Sequence, residues 1–170
     1  MKHPYNVAYL QEVAETQGDL FERLQDAEPE VDGLEFIRSY MKSDTRRFID
    51  KGDAYLATLG SRDLMDYYRA EDACETKPGP PLRGFIPNWI GQFYANYQWQ
   101  TNGLSSDIVD RIPPDWLATA YSGLHDLDMR LAVEKVAAQV GDVCDANAMS
   151  SVAEGGGEYD ACPPTPSPAP

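Results

Sequence analysis

The chain has 170 residues and carries 28 acidic against 14 basic side chains, for a formal charge of −14. A field of this sign repels nucleic-acid phosphates and anionic membranes, so the composition argues against direct binding of either. Two interpretations remain: the charge serves solubility alone, or it attracts a basic protein partner. No stretch approaches the roughly 18 apolar residues of a membrane span, and the N-terminus lacks the apolar run of a signal peptide.

The cysteines and the short motifs argue against metal, redox and hydrolytic chemistry. Cys74, Cys144 and Cys162 are odd in number and widely separated, with no CxxC pair. This pattern predicts reduced thiols in a cytoplasmic protein and no metal site. The sequence also lacks G-x-S-x-G, a Gly-rich phosphate loop and H-E-x-x-H. We therefore predict no cofactor and assign no catalytic residue.

Taken in chain order, the apolar spacing predicts a series of short helices. Asn6 is expected to cap the first, and Gly18 to divide its run into two. Ser43 or Asp44 should cap a segment that Gly52 ends. Further helices are predicted over 34–41, 53–59, 62–72, 106–112 and 114–123, and the clearest amphipathic helix over 124–140.

The stretch Gly84–Gly103, GFIPNWIGQFYANYQWQTNG, contains two of the three tryptophans, Trp89 and Trp99. A helix beginning at Pro87 or Asn88 would be apolar nearly all round, which is typical of a central, buried helix. The Pro- and Gly-rich segment 73–84 before it is expected to be a loop.

No run shows the alternation of a strand, so the predicted fold is all-α: a compact orthogonal bundle of about six to eight helices. We expect residues 1–140 to form this helical domain. Residues 141–170 are acidic and rich in Gly and Pro, and we predict a disordered tail that could offer a PxxP ligand or serve solubility alone.

Three sets of polar residues are candidates for binding. Gln92 and Asn96, followed by Gln100, recur every four residues beside Trp89 and Trp99. Amides between aromatic walls can line a ligand pocket or hold a partner's backbone, and exposed tryptophan is common at interfaces. The alternative is that these amides form the exposed side of the helix.

The second and third sets are charged. Arg46 and Arg47 could hold a carboxylate or phosphate, although pairing with internal acidic groups is the simpler interpretation. His125 and Asp128 would share one helix face at i and i+3, where they could share a proton or a metal. The alternative is that Asp126 and Asp128 favour the start of the last helix, with His125 as a capping or packing residue.

Three blocks together resemble a family of small, uncharacterised helical proteins of gut bacteria: FIRSYMKSDTRRFID (36–50), GFIPNWIGQFYANYQWQTN (84–102) and GLHDLDMRLAVEKV (123–136). The similarity covers about Tyr9–Val140. It implies a bacterial cytoplasm and membership of small gene clusters, in some cases beside ADP-ribosyltransferase-like toxins, and hence an antitoxin-type or other interaction role. It supplies no catalytic residues.

Three functional hypotheses follow. The first is a non-enzymatic acidic protein that binds a partner protein, for example by neutralising a basic toxin. The second is a small ligand-binding module or enzyme with its pocket between the aromatic helix and the Arg46–Arg47 helix. The third is a DNA mimic, which requires the acidic residues of the N-terminal part to lie in one stripe, namely Glu12, Glu15, Asp19, Glu22, Asp26, Glu28 and Glu30.

Overall fold

A computed structural model describes residues 3–72 and 75–142, and within these ranges the chain is all-α. The predicted tail from 143 onward and Cys74, Cys144 and Cys162 lie outside the described residues. A 3-10 turn, Val7–Tyr9, precedes nine α-helices, slightly more than predicted: α1 Leu10–Ala27, α2 Gly33–Met41, α3 Asp44–Asp50, α4 Ala54–Ala57, α5 Ser61–Glu71, α6 Ile86–Thr101, α7 Ser105–Arg111, α8 Pro114–Leu124 and α9 Met129–Val140.

The aromatic helix α6 is central, as its all-round apolar sequence predicts. It packs against α1, α7, α8 and α9. Phe93, Tyr94 and Tyr97 on α6 are completely buried. A second aromatic cluster, in which the rings meet edge to face, joins Phe21 of α1 to Tyr40 of α2 and Tyr68 of α5. The core therefore extends continuously from α6 through α1 to the helices on the far side of α1.

The closest helix–helix contact is between α1 and α6, and it depends on two glycines. A Cβ atom added to Gly91 would lie 2.7 Å from the Cα atom of Gly18, and one added to Gly18 would lie 2.8 Å from the carbonyl oxygen of Asn88. Gln17 reinforces the crossing, because its Nε2 donates to the carbonyl oxygen of Gly91 at 2.8 Å. The prediction that Gly18 divides the first helix is therefore wrong: α1 is continuous, and Gly18 is the position where α6 approaches it.

Local sequence signals explain most of the helix ends. Asp32, Ser43 and Asp53 each accept a hydrogen bond from a first-turn N–H at the start of α2, α3 and α4. Gly52 ends the α3 region with a positive φ of 84°. Asn102, rather than the predicted Gly103, takes the left-handed conformation after α6, with a φ of 53°; Asn tolerates this region better than most residues with a Cβ atom.

The start of the last helix also differs from the prediction. The sequence pattern predicted one amphipathic helix over 124–140, whereas α8 runs to Leu124 and α9 begins only at Met129. The side chain of Asp128 accepts a hydrogen bond from the N–H of Arg130 at 3.0 Å and so caps α9. The sequence thus predicted two separate helices correctly but placed the start of the second one five residues too early, inside the intervening turn.

The described part of the Pro-rich loop, 75–84, is held against the turn between α1 and α2. The N–H of Asp32 donates to the carbonyl oxygen of Lys77 at 2.8 Å, and the N–H of Gly79 donates to that of Glu30 at 2.9 Å. The side-chain oxygen of Gln25 accepts from the N–H of Leu82. This loop therefore closes the end of the bundle at which α1 ends and α6 begins.

The glycine crossing gives a stability prediction. Gly91→Ala should lower the free energy of unfolding by about 1–3 kcal/mol, because the new methyl group would meet backbone atoms that cannot move independently. Chemical denaturation followed by circular dichroism measures this. Gly123→Ala is the matched control: it is also helical, has open space around its Cβ position, and should gain up to about 1 kcal/mol from helix propensity. Equal effects of the two substitutions would contradict the close approach.

Candidate functional site

Both tryptophans of the aromatic helix belong to the core, which corrects the idea that they flank a surface site. Trp89 is 9% exposed and Trp99 is 1% exposed. The N-terminal segment covers Trp99. The ring of His3 stacks on the indole ring, with 3.8 Å between the ring centroids, and Nε1 of Trp99 donates to the carbonyl oxygen of Tyr5 at 3.0 Å. His3 is thus packed against the core. The exposed tryptophan is Trp116 of α8, at 41%.

Arg46 forms an internal ion pair, the simpler of its two interpretations. It is fully buried, and its Nε lies 3.2 Å from Oδ1 of Asp50 and donates to Oγ of Ser105 at 2.9 Å. Burial opposes the charge of Arg46, but the carboxylate of Asp50 raises its pKa above the ordinary value. Tyr5 and Tyr40 lie close to the guanidinium, and burial raises the pKa of each to about 12, so both hydroxyls stay neutral.

The same ion pair connects two helices. The carboxylate of Asp50, at the end of α3, accepts two hydrogen bonds from Ser105: one from its N–H at 2.6 Å and one from its hydroxyl at 2.7 Å. Asp50 thereby caps the first turn of α7. Arg47, in contrast, is on the surface and pairs with Asp44 of its own helix at 2.9 Å. Arg46 and Arg47 therefore do not converge on one ligand, and the hypothesis of a pocket held by this pair loses its anchoring groups.

His125 and Asp128 lie in the turn between α8 and α9 and not on a common helix face. Nδ1 of His125 is 2.8 Å from the carbonyl oxygen of Tyr121, and its ring stacks on that of Tyr121 at 4.5 Å. Its Nε2 faces the exposed carboxylate of Asp126 at 3.2 Å. Since Asp128 is occupied with the α9 cap, capping and packing account for both residues.

The amide candidates form a connected row on the partly exposed side of α6. Nε2 of Gln92 donates to Oδ1 of Asn88 at 2.7 Å, and Nδ2 of Asn96 donates to the carbonyl oxygen of Gln92 at 2.9 Å. Asn88 continues the row across to α1, where it donates to Glu22 at 2.9 Å and to Asp19 at 3.2 Å. Gln100, the next in the series, is 2% exposed and belongs to the interior.

This amide row borders a groove with a volume of about 660 Å³. The groove lies between the start of α1, the amide face of α6 and the first turn of α9. Its apolar lining comes mainly from Val7, Leu10, Ala14 and Met129; its polar lining includes Gln92, Asn96, Glu15 and Asp128. Three residues selected from sequence, Gln92, Asn96 and Asp128, thus meet at one site. Sequence spacing could not identify its apolar lining, which depends on how three helices meet.

A stripe of carboxylates runs along the outer face of α1 beside this groove. Its members follow one another at intervals of three or four residues on the uninterrupted helix: Glu12, Glu15, Asp19, Glu22 and Asp26. At 1.5 Å per residue the stripe is about 21 Å long, with a carboxylate about every 5 Å. Within the described residues none of the five forms an ion pair with Lys or Arg. We call this set the acidic stripe.

The remaining residues of the predicted array do not extend the stripe. Glu28 follows the end of α1 and pairs with Arg69, and Glu30 lies in the following turn. In residues 3–72 and 75–142, no three His, Cys, Asp or Glu side chains are placed to hold a metal ion together. No helix in the same ranges is long and apolar enough to cross a membrane.

Comparison with known proteins gives no match to this chain among family models, curated proteins or solved structures. The groove and the acidic stripe are therefore the features from which we infer a function.

The buried ion pair gives a second stability prediction. Asp50→Asn should cost about 3–5 kcal/mol of unfolding free energy, because it leaves the charge of Arg46 buried without a counter-charge. The control is Asp44→Asn, which removes the surface partner of Arg47 and should cost less than about 1 kcal/mol. Denaturant titration measures both variants. Similar small costs would show that Arg46 does not depend on Asp50.

Proposed function

We propose that this is a non-enzymatic acidic helical protein that binds a basic segment of a partner protein in the groove between α1, α6 and α9. The observation that carries the proposal is the acidic stripe, whose carboxylates have no Lys or Arg partner within residues 3–72 and 75–142, beside a groove with an apolar lining. An antitoxin-type or other inhibitory role in a bacterial cytoplasm is the form of this binding that the sequence resemblance suggests.

The groove has the two properties that a peptide segment requires. Val7 and Met129, which are partly exposed, offer apolar surface to anchor side chains of the partner. Gln92 and Asn96 stand at its edge and carry amide groups that can pair with a partner's backbone. The volume of about 660 Å³ accommodates a few anchor side chains, so the remaining contact would lie along α1.

The acidic stripe supplies attraction over a longer distance than the groove. Carboxylates without internal counter-charges act on a basic partner before contact, and they raise the association rate and the specificity more than the final affinity. Salt should weaken this attraction strongly, because the Debye length is about 10 Å at 0.1 M ionic strength. The stripe thus favours a partner segment with lysine and arginine side chains. The groove favours an apolar side chain between these basic residues.

A DNA mimic is the second candidate, and the linear arrangement of the stripe favours it over a scattered acidic surface. Successive carboxylates of the stripe are separated by about 5 Å along the helix axis. Successive phosphates of one DNA strand are separated by about 3.4 Å along the duplex axis. The stripe is therefore sparser than a phosphate backbone. We rank this candidate second because a plain basic partner needs no match to phosphate spacing.

Removing charge from the stripe tests the first candidate. The full chain, immobilised, should capture a partner from a lysate of the organism that produces it, and Glu12→Gln/Glu15→Gln should reduce the retained amount about tenfold. The control Glu71→Gln/Glu75→Gln changes the net charge equally at exposed positions outside the stripe. It should retain the partner as the unmodified chain does.

Elution in a salt gradient adds a second readout to this experiment. The unmodified chain and the control variant should release the partner at the same salt concentration, and the stripe variant at a lower one. Equal retention by the two variants would show that the net charge of the protein, and not the acidic stripe, causes the capture. Failure of the unmodified chain to retain a stoichiometric partner would contradict the proposal itself.

Competition with nucleic acid distinguishes the two candidates. If the protein mimics DNA, a 20-base-pair duplex added to the captured complex should release the partner, and the Glu12→Gln/Glu15→Gln variant should fail to displace the duplex from the partner. The measurement is fluorescence anisotropy of a labelled duplex. A stable ternary complex of duplex, partner and this protein would rule out mimicry and leave the simpler binding function.

A further inference from the structure

A second groove, between α1 and α5, has a lining with a small net positive charge, because it contains three arginines and the two carboxylates of Glu28 and Asp66. It encloses about 300 Å³, and its lining includes Leu20, Arg23, Leu24, Arg62, Met65 and Arg69. Three arginines in one groove are unexpected in a chain with twice as many acidic as basic residues. The groove is distinct from the acidic stripe and from the groove of about 660 Å³ beside it.

Most basic side chains of the described residues are already paired with a carboxylate. Within 3–72 and 75–142, those without an ion pair are Arg23, Lys51, Arg62, Arg83 and Lys135. Two of these, Arg23 and Arg62, line the same groove from different helices. Arg69, the third arginine, is held by Glu28 at the rim. Arg23 and Arg62 are therefore the guanidinium groups available to a ligand.

The chemistry of the groove defines the ligand class. Guanidinium groups bind phosphate and carboxylate oxygens through paired hydrogen bonds. Ala27 and Met65 provide the accessible apolar surface of the lining, whereas Leu20 and Leu24 are buried. A groove of this volume is at the lower end of the range for small-molecule sites. A phosphomonoester carries a charge of about −1.5 to −2 at neutral pH, which matches two guanidinium groups better than a single carboxylate does.

We infer that the groove between α1 and α5 binds a small phosphomonoester with an apolar or aromatic body, with Arg23 and Arg62 holding the phosphate. The apolar body packs on Ala27 and Met65. Asp66, a further residue of the lining, opposes an anion by charge repulsion and limits the affinity. This site does not depend on the partner-binding function proposed above, although both sites lie along helix α1.

Phenyl phosphate is a suitable probe, and isothermal titration of the full chain at low ionic strength is the measurement. We expect saturable binding that Arg23→Gln and Arg62→Gln each weaken about tenfold, the typical loss for a charged hydrogen bond. Lys51→Gln removes an unpaired cation elsewhere and should leave the affinity unchanged. Asp66→Asn should tighten binding about threefold, a gain that damage to the fold would not produce.

Two further probes test the ligand class. Inorganic phosphate, which lacks the apolar body, and benzoate, which carries one negative charge, should each bind at least about tenfold more weakly than phenyl phosphate. The inference is overturned if phenyl phosphate shows no saturable binding, or if Lys51→Gln weakens binding as much as Arg62→Gln. Equal or tighter binding of benzoate would overturn the assignment of a phosphate.

Discussion

The close approach of Gly18 and Gly91 determines how the rest of the molecule is arranged. Only glycine permits backbone atoms of two helices to come this near, and larger side chains on both sides would separate α1 from α6. The crossing places Asn88 within hydrogen-bonding distance of Asp19 and Glu22. It thereby joins the amide row of α6 to the acidic stripe of α1, and it brings the groove and the stripe onto one face.

The acidic residues of this chain have two separate uses. Some stabilise the fold: Asp50 caps α7 from α3, and Asp72, at the end of α5, accepts the N–H groups of Asp44 and Thr45 at the start of α3. Carboxylates at helix N-termini satisfy unpaired N–H groups and interact favourably with the helix dipole. Among the members of the acidic stripe, Glu12 alone lies in the first turn of a helix. The charges of the other members are therefore available to a partner.

Sequence reasoning succeeded where the signal is local. Ser43 and Gly52 act at helix ends as predicted, and the composition of α6 identified it as the central helix. It failed where the answer depends on what another helix does. A glycine inside an apolar run predicts a break, and only the position of α6 shows that Gly18 is a contact point instead.

The same distinction between local signals and tertiary packing applies to the candidate site. Spacing on one helix selected Gln92 and Asn96, which do border the groove, because a four-residue interval places side chains on one face regardless of the fold. Spacing alone placed Trp99 at the wall of a binding site. This was wrong, because the burial of Trp99 depends on the N-terminal segment that covers its ring. The groove between α1 and α5 escaped sequence reasoning altogether, since Arg23 and Arg62 are distant in the chain and only tertiary packing brings them together.

The two proposed sites share helix α1, and this has an energetic consequence. Arg23 lies between Asp19 and Asp26 along the chain, so its charge reduces the negative potential of the stripe. An anion held by Arg23 would cancel this reduction and would strengthen the attraction of the stripe for a basic partner. Coupling between two binding equilibria is reciprocal, so the partner would favour the anion equally. Helix α1, continuous through Gly18, would connect the two sites through electrostatics alone, without any change in conformation.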